Sequence, residues 1–344
     1  MHTRWGFFAL LVGLSGLLLN AVGQEGDKKD EDKTLVWTHG LSFQVRPAGV
    51  EDFDPKKTKK YGAEAFHDKS LKRMVYVCET AALGVGSATK VPTTPEVKAP
   101  TLFHAMELRV RLPGENSFDG KTETFGIEVF NDVNCDNLIY VSQTGSVSVL
   151  PTGSIKASDK VKDPEWSHGL ELKVRKAGEA EWDNAPKFSL EIYKDPNADR
   201  LVYVTHKGNV TTVSAAGTTK PADVKGPTWF HAFEVKVRKA NEKEFTKDTK
   251  AYGVEVYKDE NTDKLIYISE TGSVAVVAAG NVKKPEESKA PKWTHGQAFR
   301  VRRHDEDDFN DKTQRFGAEV YKDEITGYSV YVTESGDLTV FSAN

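Results

Sequence analysis

The sequence predicts an all-β protein made of five tandem, roughly 64-residue, four-stranded antiparallel repeats, with a propeller-like five-bladed ring favoured over an elongated array of small β modules. Three observations carry that reading. A histidine recurs at His39, His104, His168, His231 and His295, spaced by 65, 64, 63 and 64 residues. Other residues keep fixed places behind it. Apolar and polar residues alternate with a period of two, and no segment shows helical periodicity.

Val-Arg follows each histidine at Arg46, Arg111, Arg175, Arg238 and Arg302, and an aromatic follows at Phe53, Phe118, Trp182, Phe245 and Phe309. A Glu two residues before an aromatic comes next: Glu64/Phe66, Glu128/Phe130, Glu191/Tyr193, Glu255/Tyr257 and Glu319/Tyr321. An Asp (68, 132, 195, 259, 323) and a Tyr (76, 140, 203, 267, 331) complete the set.

The fourth copy shows the elements in order. His231, Phe233, Val235 and Val237 alternate with Glu234, Lys236 and Arg238, as in a strand with one solvated face. After a polar loop carrying Phe245, Tyr252 to Tyr257 form a second strand. Lys258 to Asp263 have turn chemistry, since Asp and Asn bond their own backbone. Leu265 to Ile268 are apolar on both faces, as in a central strand, and Glu270-Thr-Gly272 turns into a fourth strand from Ser273.

Bead-like modules of about fifty residues would bury too little apolar surface to fold alone. A ring avoids that difficulty if the first strand, with its charged face, is outermost. The N-terminal strand would then complete the last blade and close the ring.

Residues 1–23 read as a signal peptide, with Arg4, an apolar run from Phe7 to Leu19 and small residues at Ala21 and Gly23. Residues 24–34 are a charged linker, and the repeats run 35–98, 99–163, 164–226, 227–290 and 291–344. This predicts a secreted, periplasmic or cell-surface protein with no membrane span after cleavage. The formal net charge of −4 and the absence of a Lys/Arg cluster exclude the electrostatic footprint of a nucleic-acid binder. Export permits a disulfide, and Cys78 and Cys135 could pair if neighbouring repeats bring them together.

Four patterns are site candidates. The histidines are core-edge residues bonded to backbone, or else one imidazole ligand per repeat. Each Arg and Glu pair across strands one and two of its own repeat, or else Glu191, Glu255 and Glu319 line a pore. Tyr193, Tyr257 and Tyr321 share the Glu face and could stack sugars, or else pack between sheets. Asp132-x-Asn134-x-Asp136, Asp195-x-Asn197-x-Asp199 and Asp259-x-Asn261-x-Asp263 place oxygens at alternate positions, suiting a hairpin turn or weak calcium binding. No other cofactor is implied. Asn209-Val-Thr211 is a glycosylation sequon.

No nucleotide loop, HExxH, CxxC or GxSxG is present, and no copy carries residues that the others lack. The expected function is therefore non-enzymatic: multivalent binding of an extracellular or cell-wall glycan or protein, with a carbohydrate favoured. A structural or adhesive spacer is the alternative, and a hydrolase using a His/Glu pair is the third reading.

Overall fold

The computed structural model describes residues 34–92, 96–119, 121–153, 155 and 160–342. The predicted signal peptide and all but the last residue of the linker lie outside them. Twenty strands form five four-stranded antiparallel sheets, each in simple sequence order and each made from one contiguous repeat.

The first blade holds β1 (Leu35–Val45), β2 (Lys59–Asp68), β3 (Arg73–Cys78) and β4 (Leu83–Ser87). The second holds β5 (Thr101–Val110), β6 (Glu123–Asp132), β7 (Asn137–Ser142) and β8 (Val147–Pro151). In the third are β9 (Glu165–Lys173), β10 (Lys187–Asp195), β11 (Arg200–Thr205) and β12 (Val210–Ser214). The fourth has β13 (Thr228–Val237), β14 (Lys250–Asp259), β15 (Lys264–Ser269) and β16 (Val274–Ala278). The fifth has β17 (Lys292–Val301), β18 (Gln314–Lys322), β19 (Tyr328–Thr333) and β20 (Leu338–Ser342).

The last strands of the blades adjoin one another around an axis, in the order β4, β8, β12, β16, β20 and back to β4. This is a five-bladed β-propeller. First strands are outermost, which explains their solvated alternate residues, such as Glu234 and Lys236. The expected strand exchange does not occur. Strand β1 pairs with β2 of its own repeat along its whole length, so side chains and not a shared sheet close the ring.

A β-bulge in the first strand sets what each face does. Trp37 pairs with Phe66 but His39 pairs with Ala65, so the residue between them is extra. Adjacent residues of β2 point to opposite faces, so Trp37 and His39 do as well. The same shift separates Leu102 from His104, Trp166 from His168, Trp229 from His231 and Trp293 from His295. One sheet face therefore carries His, and the other carries Trp and Glu.

No blade keeps a core to itself. The His face of blade one (Leu41, Phe43, Met74) packs on the Glu face of blade two (Phe130, Ile139, Val141). The four other apolar clusters likewise straddle blade boundaries, the last joining Phe299 and Val320 to Phe66 and Val75. Each repeat needs its neighbour to bury its apolar faces, as expected for a structure whose units are too small to fold alone.

Candidate functional site

All the recurring polar residues converge on the blade boundaries. Arg46 Nε lies 2.7 Å from Glu128 Oε1 in the next blade, and its Nη2 lies 3.3 Å from Oε2. Arg111 meets Glu191, Arg175 meets Glu255, Arg238 meets Glu319 and Arg302 meets Glu64 in the same two-pronged way, at 2.6–2.7 Å through Nε. The expected cross-strand pair within one repeat is thus corrected. Strand two turns its buried Glu toward the preceding blade, where that blade's Arg meets it. Close approach there depends on glycine: a Cβ on Gly126 would fall 2.1 Å from the Arg46 carbonyl oxygen.

Four of the histidines are buried and His295 is partly exposed, but the partner of each is a carboxylate of the next blade and not a backbone carbonyl. His39 Nε2 lies 3.1 Å from Asp132 Oδ2, His104 2.9 Å from Asp195 and His168 3.1 Å from Asp259. His231 lies 3.1 Å from Asp323 as an ion-pair contact out of line for a hydrogen bond. In the fifth blade His295 stands back at 3.5 Å, and Gln297 donates to Asp68 Oδ2 at 2.7 Å.

The recurring tyrosines bond the same carboxylates: Tyr76 to Asp132 at 2.7 Å, Tyr140 to Asp195 at 2.9 Å, Tyr203 to Asp259 at 3.3 Å, Tyr267 to Asp323 at 2.8 Å, and Tyr331 to Asp68. Burial alone would raise these carboxyls. The His contacts together with the Tyr and turn hydrogen bonds outweigh it and hold all five below the usual carboxylate range, Asp323 at about 2.

The Asp-x-Asn-x-Asp turns are built differently from a cation loop. Asp132 Oδ1 accepts the Asn134 backbone N–H at 3.0 Å and its side-chain amide at 2.9 Å. Asn134 then clasps both backbone groups of Lys98 in the connector, and Asn197 and Asn261 do the same to Lys162 and Lys225. The third Asp of each turn (136, 199, 263) is left-handed, with φ of 53°, 49° and 53°. Lys72 and Gly327 take that conformation in the copies that break the motif. The alternation of oxygens thus answers to one structural carboxylate, one connector clasp and one left-handed turn residue.

Tyr193, Tyr257 and Tyr321 are each 6% exposed. Their hydroxyls donate to the carbonyls of Arg109, Lys173 and Lys236 in the preceding blade. The expected sugar-stacking faces are therefore closed, because these rings pack between sheets. Cys78 and Cys135 are both buried and unbonded. His39, Asp132 and Cys135 bring N, O and S donors within 4.8 Å of one another. Thr262 and Thr326 occupy the place of Cys135 in blades four and five, donating to Asp259 and Asp323. The Asn209 amide of the sequon donates to the Gly272 carbonyl at 2.9 Å.

The exposed aromatics stand at the blade boundaries. Trp37 is 45% exposed and Trp293 44% exposed. The indole N–H of each donates to its blade's Glu at 2.7 Å (Glu64 and Glu319), as Trp166 and Trp229 do to Glu191 and Glu255 at 2.8 Å. The loop aromatic of the preceding blade stands perpendicular to the indole: Phe309 against Trp37 at 5.8 Å, Phe118 against Trp166 at 5.7 Å, Trp182 against Trp229 at 6.4 Å and Phe245 against Trp293 at 5.9 Å. The Arg of the ion pair stacks on the loop ring, Arg238 on Phe245 at 4.7 Å and Arg175 on Trp182 at 4.3 Å. Connector lysines cover two indoles, Lys220 over Trp166 and Lys284 over Trp229. Among the described residues no lysine covers Trp37 or Trp293, whose rings are approached by Arg302 at 5.9 Å and Arg238 at 5.6 Å and which remain the more open corners. The missed signal was the pairing of the Trp that stands two residues before four of the five histidines with the aromatic after the preceding repeat's Arg.

At the axis, the turns between third and fourth strands enclose a cavity of about 210 Å³. Thr80, Ala82, Thr144, Ser146, Asn209, Thr271, Ser273, Ser335 and Asp337 line it.

No family model matches the chain, and no curated protein matches it. Among solved structures, virginiamycin B lyase from Staphylococcus aureus aligns at 11% identity over 88% of this chain and 74% of that one, with a TM-score of 0.12. A streptogramin B lyase aligns at 10% identity over 90% and 88% of the two chains, with a TM-score of 0.11. Likeness at that level carries no argument about chemistry.

Proposed function

We propose that this protein is an exported, non-enzymatic ring that binds a repeating ligand, a glycan polymer, through the aromatic corners at its blade boundaries. The observation that supports the reading is the open pair of rings at Trp37/Phe309 and Trp293/Phe245. Each presents a partly exposed indole whose orientation is fixed by its N–H bond to a buried Glu. A preorganised indole offers a flat apolar face to the C–H side of a sugar ring without an ordering cost on binding. Two corners on one rigid body gain avidity of ~10²–10⁴ for a polymer long enough to span them. The recurring Glu, His, Asp and Tyr groups are committed between blades, which argues against a hydrolase built from them.

The test is titration of soluble glucan, galactan and chitin oligomers and polymers, followed by tryptophan fluorescence. Polymer binding at least a hundredfold tighter than monosaccharide binding is expected. Trp37→Leu with Trp293→Leu should abolish it while the ring stays folded, since Leu102 already occupies this position in blade two. If no polymer binds, or the double variant binds unchanged, the corners only cap ion pairs, and the protein is a spacer.

A further inference from the structure

The axial cavity is lined at one repeat position where the fifth copy carries a charge that the other four lack. The residue immediately before the fourth strand of each blade is Ala82, Ser146, Asn209, Ser273 or Asp337. Ring closure does not require a carboxylate there. Ser146 Oγ accepts the N–H of Val210 at 3.0 Å, and Ser273 Oγ accepts that of Leu338 at 3.0 Å, each in the next blade. Asp337 Oδ2 does the same for Leu83 at 2.8 Å, joining the fifth blade to the first. A serine would serve, so the charge of Asp337 is surplus to the joint. Burial pushes its carboxyl up to about 6, against hydrogen bonds from the Ser273 hydroxyl and the Leu83 N–H.

The lining around it offers acceptors and few donors. The hydroxyl protons of Thr80, Thr144 and Thr271 go to the Gly145, Gly208 and Gly336 carbonyls of the following blades, at 2.9, 3.0 and 3.1 Å. The Asn209 amide N–H goes to the Gly272 carbonyl. The Ser273 hydroxyl goes to Asp337. What these groups have left for the cavity is oxygen lone pairs. Lys207, which replaces the turn threonine in blade three, donates to the Thr271 carbonyl at 3.1 Å and does not line the cavity. A half-buried carboxylate among such oxygens matches a small positive charge and repels an anion.

We propose that the axial mouth is a single binding site for one small oxygen-seeking cation, a hard metal ion or a primary ammonium, with Asp337 as its charged ligand. The inference does not depend on the aromatic corners. A cavity of about 210 Å³ falls below the ~300–1,000 Å³ of drug-sized ligand sites, so its occupant is small.

Calorimetric titration of the full protein with the chlorides of calcium, sodium and methylammonium at pH 7.5 tests it, the three probes separating metal from ammonium. Saturable binding of one probe at one per chain is expected. Asp337→Ser, which restores the residue of blades two and four, should weaken binding at least tenfold and leave the fold intact. Asp263→Ala, at an exposed turn carboxylate, should leave it unchanged. No one-to-one binding by any probe, or equal binding by Asp337→Ser, overturns the proposal. So does loss of binding in Asp263→Ala, which would place the cation at a turn.

Discussion

Arg302 in the fifth blade grips Glu64 in the first, with Nε 2.7 Å from Oε1 and Nη2 3.3 Å from Oε2, across 238 residues of chain. The contact repeats the four sequential Arg–Glu pairs, so the molecule closes its ring with the same joint that it uses between consecutive blades. Where blades share strands, closure is a matter of backbone pairing. Here no strand is shared and side chains do it: this ion pair, the Asp68 cluster, the Asp337 clasp and the apolar contact of Phe299 and Val320 with Phe66 and Val75 among them.

Arg302→Ala should therefore act like Arg111→Ala, although one site joins the chain ends and the other joins neighbours. Each variant leaves a buried Glu without its cation, a loss of about 3 kcal/mol. Urea unfolding measures it. Losses below about 1 kcal/mol in both would mean that the apolar boundary cores hold the ring without the pairs.

Leu102 stands where the other blades have Trp, so Glu128 lacks the indole N–H that Glu64, Glu191, Glu255 and Glu319 receive. Burial raises the Glu128 carboxyl despite Arg46. Leu102→Trp should supply the missing donor and stabilise the protein by about 1.5–3 kcal/mol, the range for a hydrogen bond to a charged group. An unchanged or lower Tm would show that this boundary cannot seat an indole.

The five Asp carboxyls sit below their ordinary value, so their stabilisation is complete above about pH 4 and is lost as the pH falls. For Asp323, at about 2 against an ordinary value of 3.8, the loss between those limits is about 2 kcal/mol at ~1.4 kcal/mol per pKa unit. Acid titration of stability should therefore fall steeply between pH 4 and 2. Asp323→Asn should be less stable at pH 7 and should show a shallower acid limb. A parallel limb would assign the acid sensitivity elsewhere.

Cys78 and Cys135 are buried, and burial pushes their thiols up to about 11 and about 12. Both should resist thiol reagents in the native protein and react together on unfolding. Cys135→Thr should be neutral or stabilising, since the Thr262 and Thr326 hydroxyls bond the Asp at that place. Fast native labelling of Cys135 would mean that the first and second blades part readily.

The chain pattern made some of this legible. Period-two alternation in His231 to Arg238 predicted a strand with one wet face, and β13 is such a strand, outermost in its blade. The fixed offsets were read as marks of a fold, but assigned to contacts within one repeat. They belong to contacts between repeats, and a one-dimensional pattern is the same in either case. The bulge was also invisible. Trp229 and His231, two apart, should share a face in a regular strand, and one extra residue between them sends the indole to one neighbour and the imidazole to the other.

What the sequence determined by itself is the unit: five copies, four strands each, antiparallel, with turn chemistry at the Asp and Gly positions. These follow from short-range rules, side-chain alternation and local hydrogen bonding, which act within a few residues. Which surfaces remain for a ligand was decided only by the tertiary structure. Closing the ring buried Tyr193, Tyr257 and Tyr321 and consumed the Arg–Glu and His–Asp groups between blades. It left Trp37, Trp293 and the mouth around Asp337 accessible. Exposure is a property of how sheets pack on one another, and packing joins residues that lie about 60 to more than 200 positions apart.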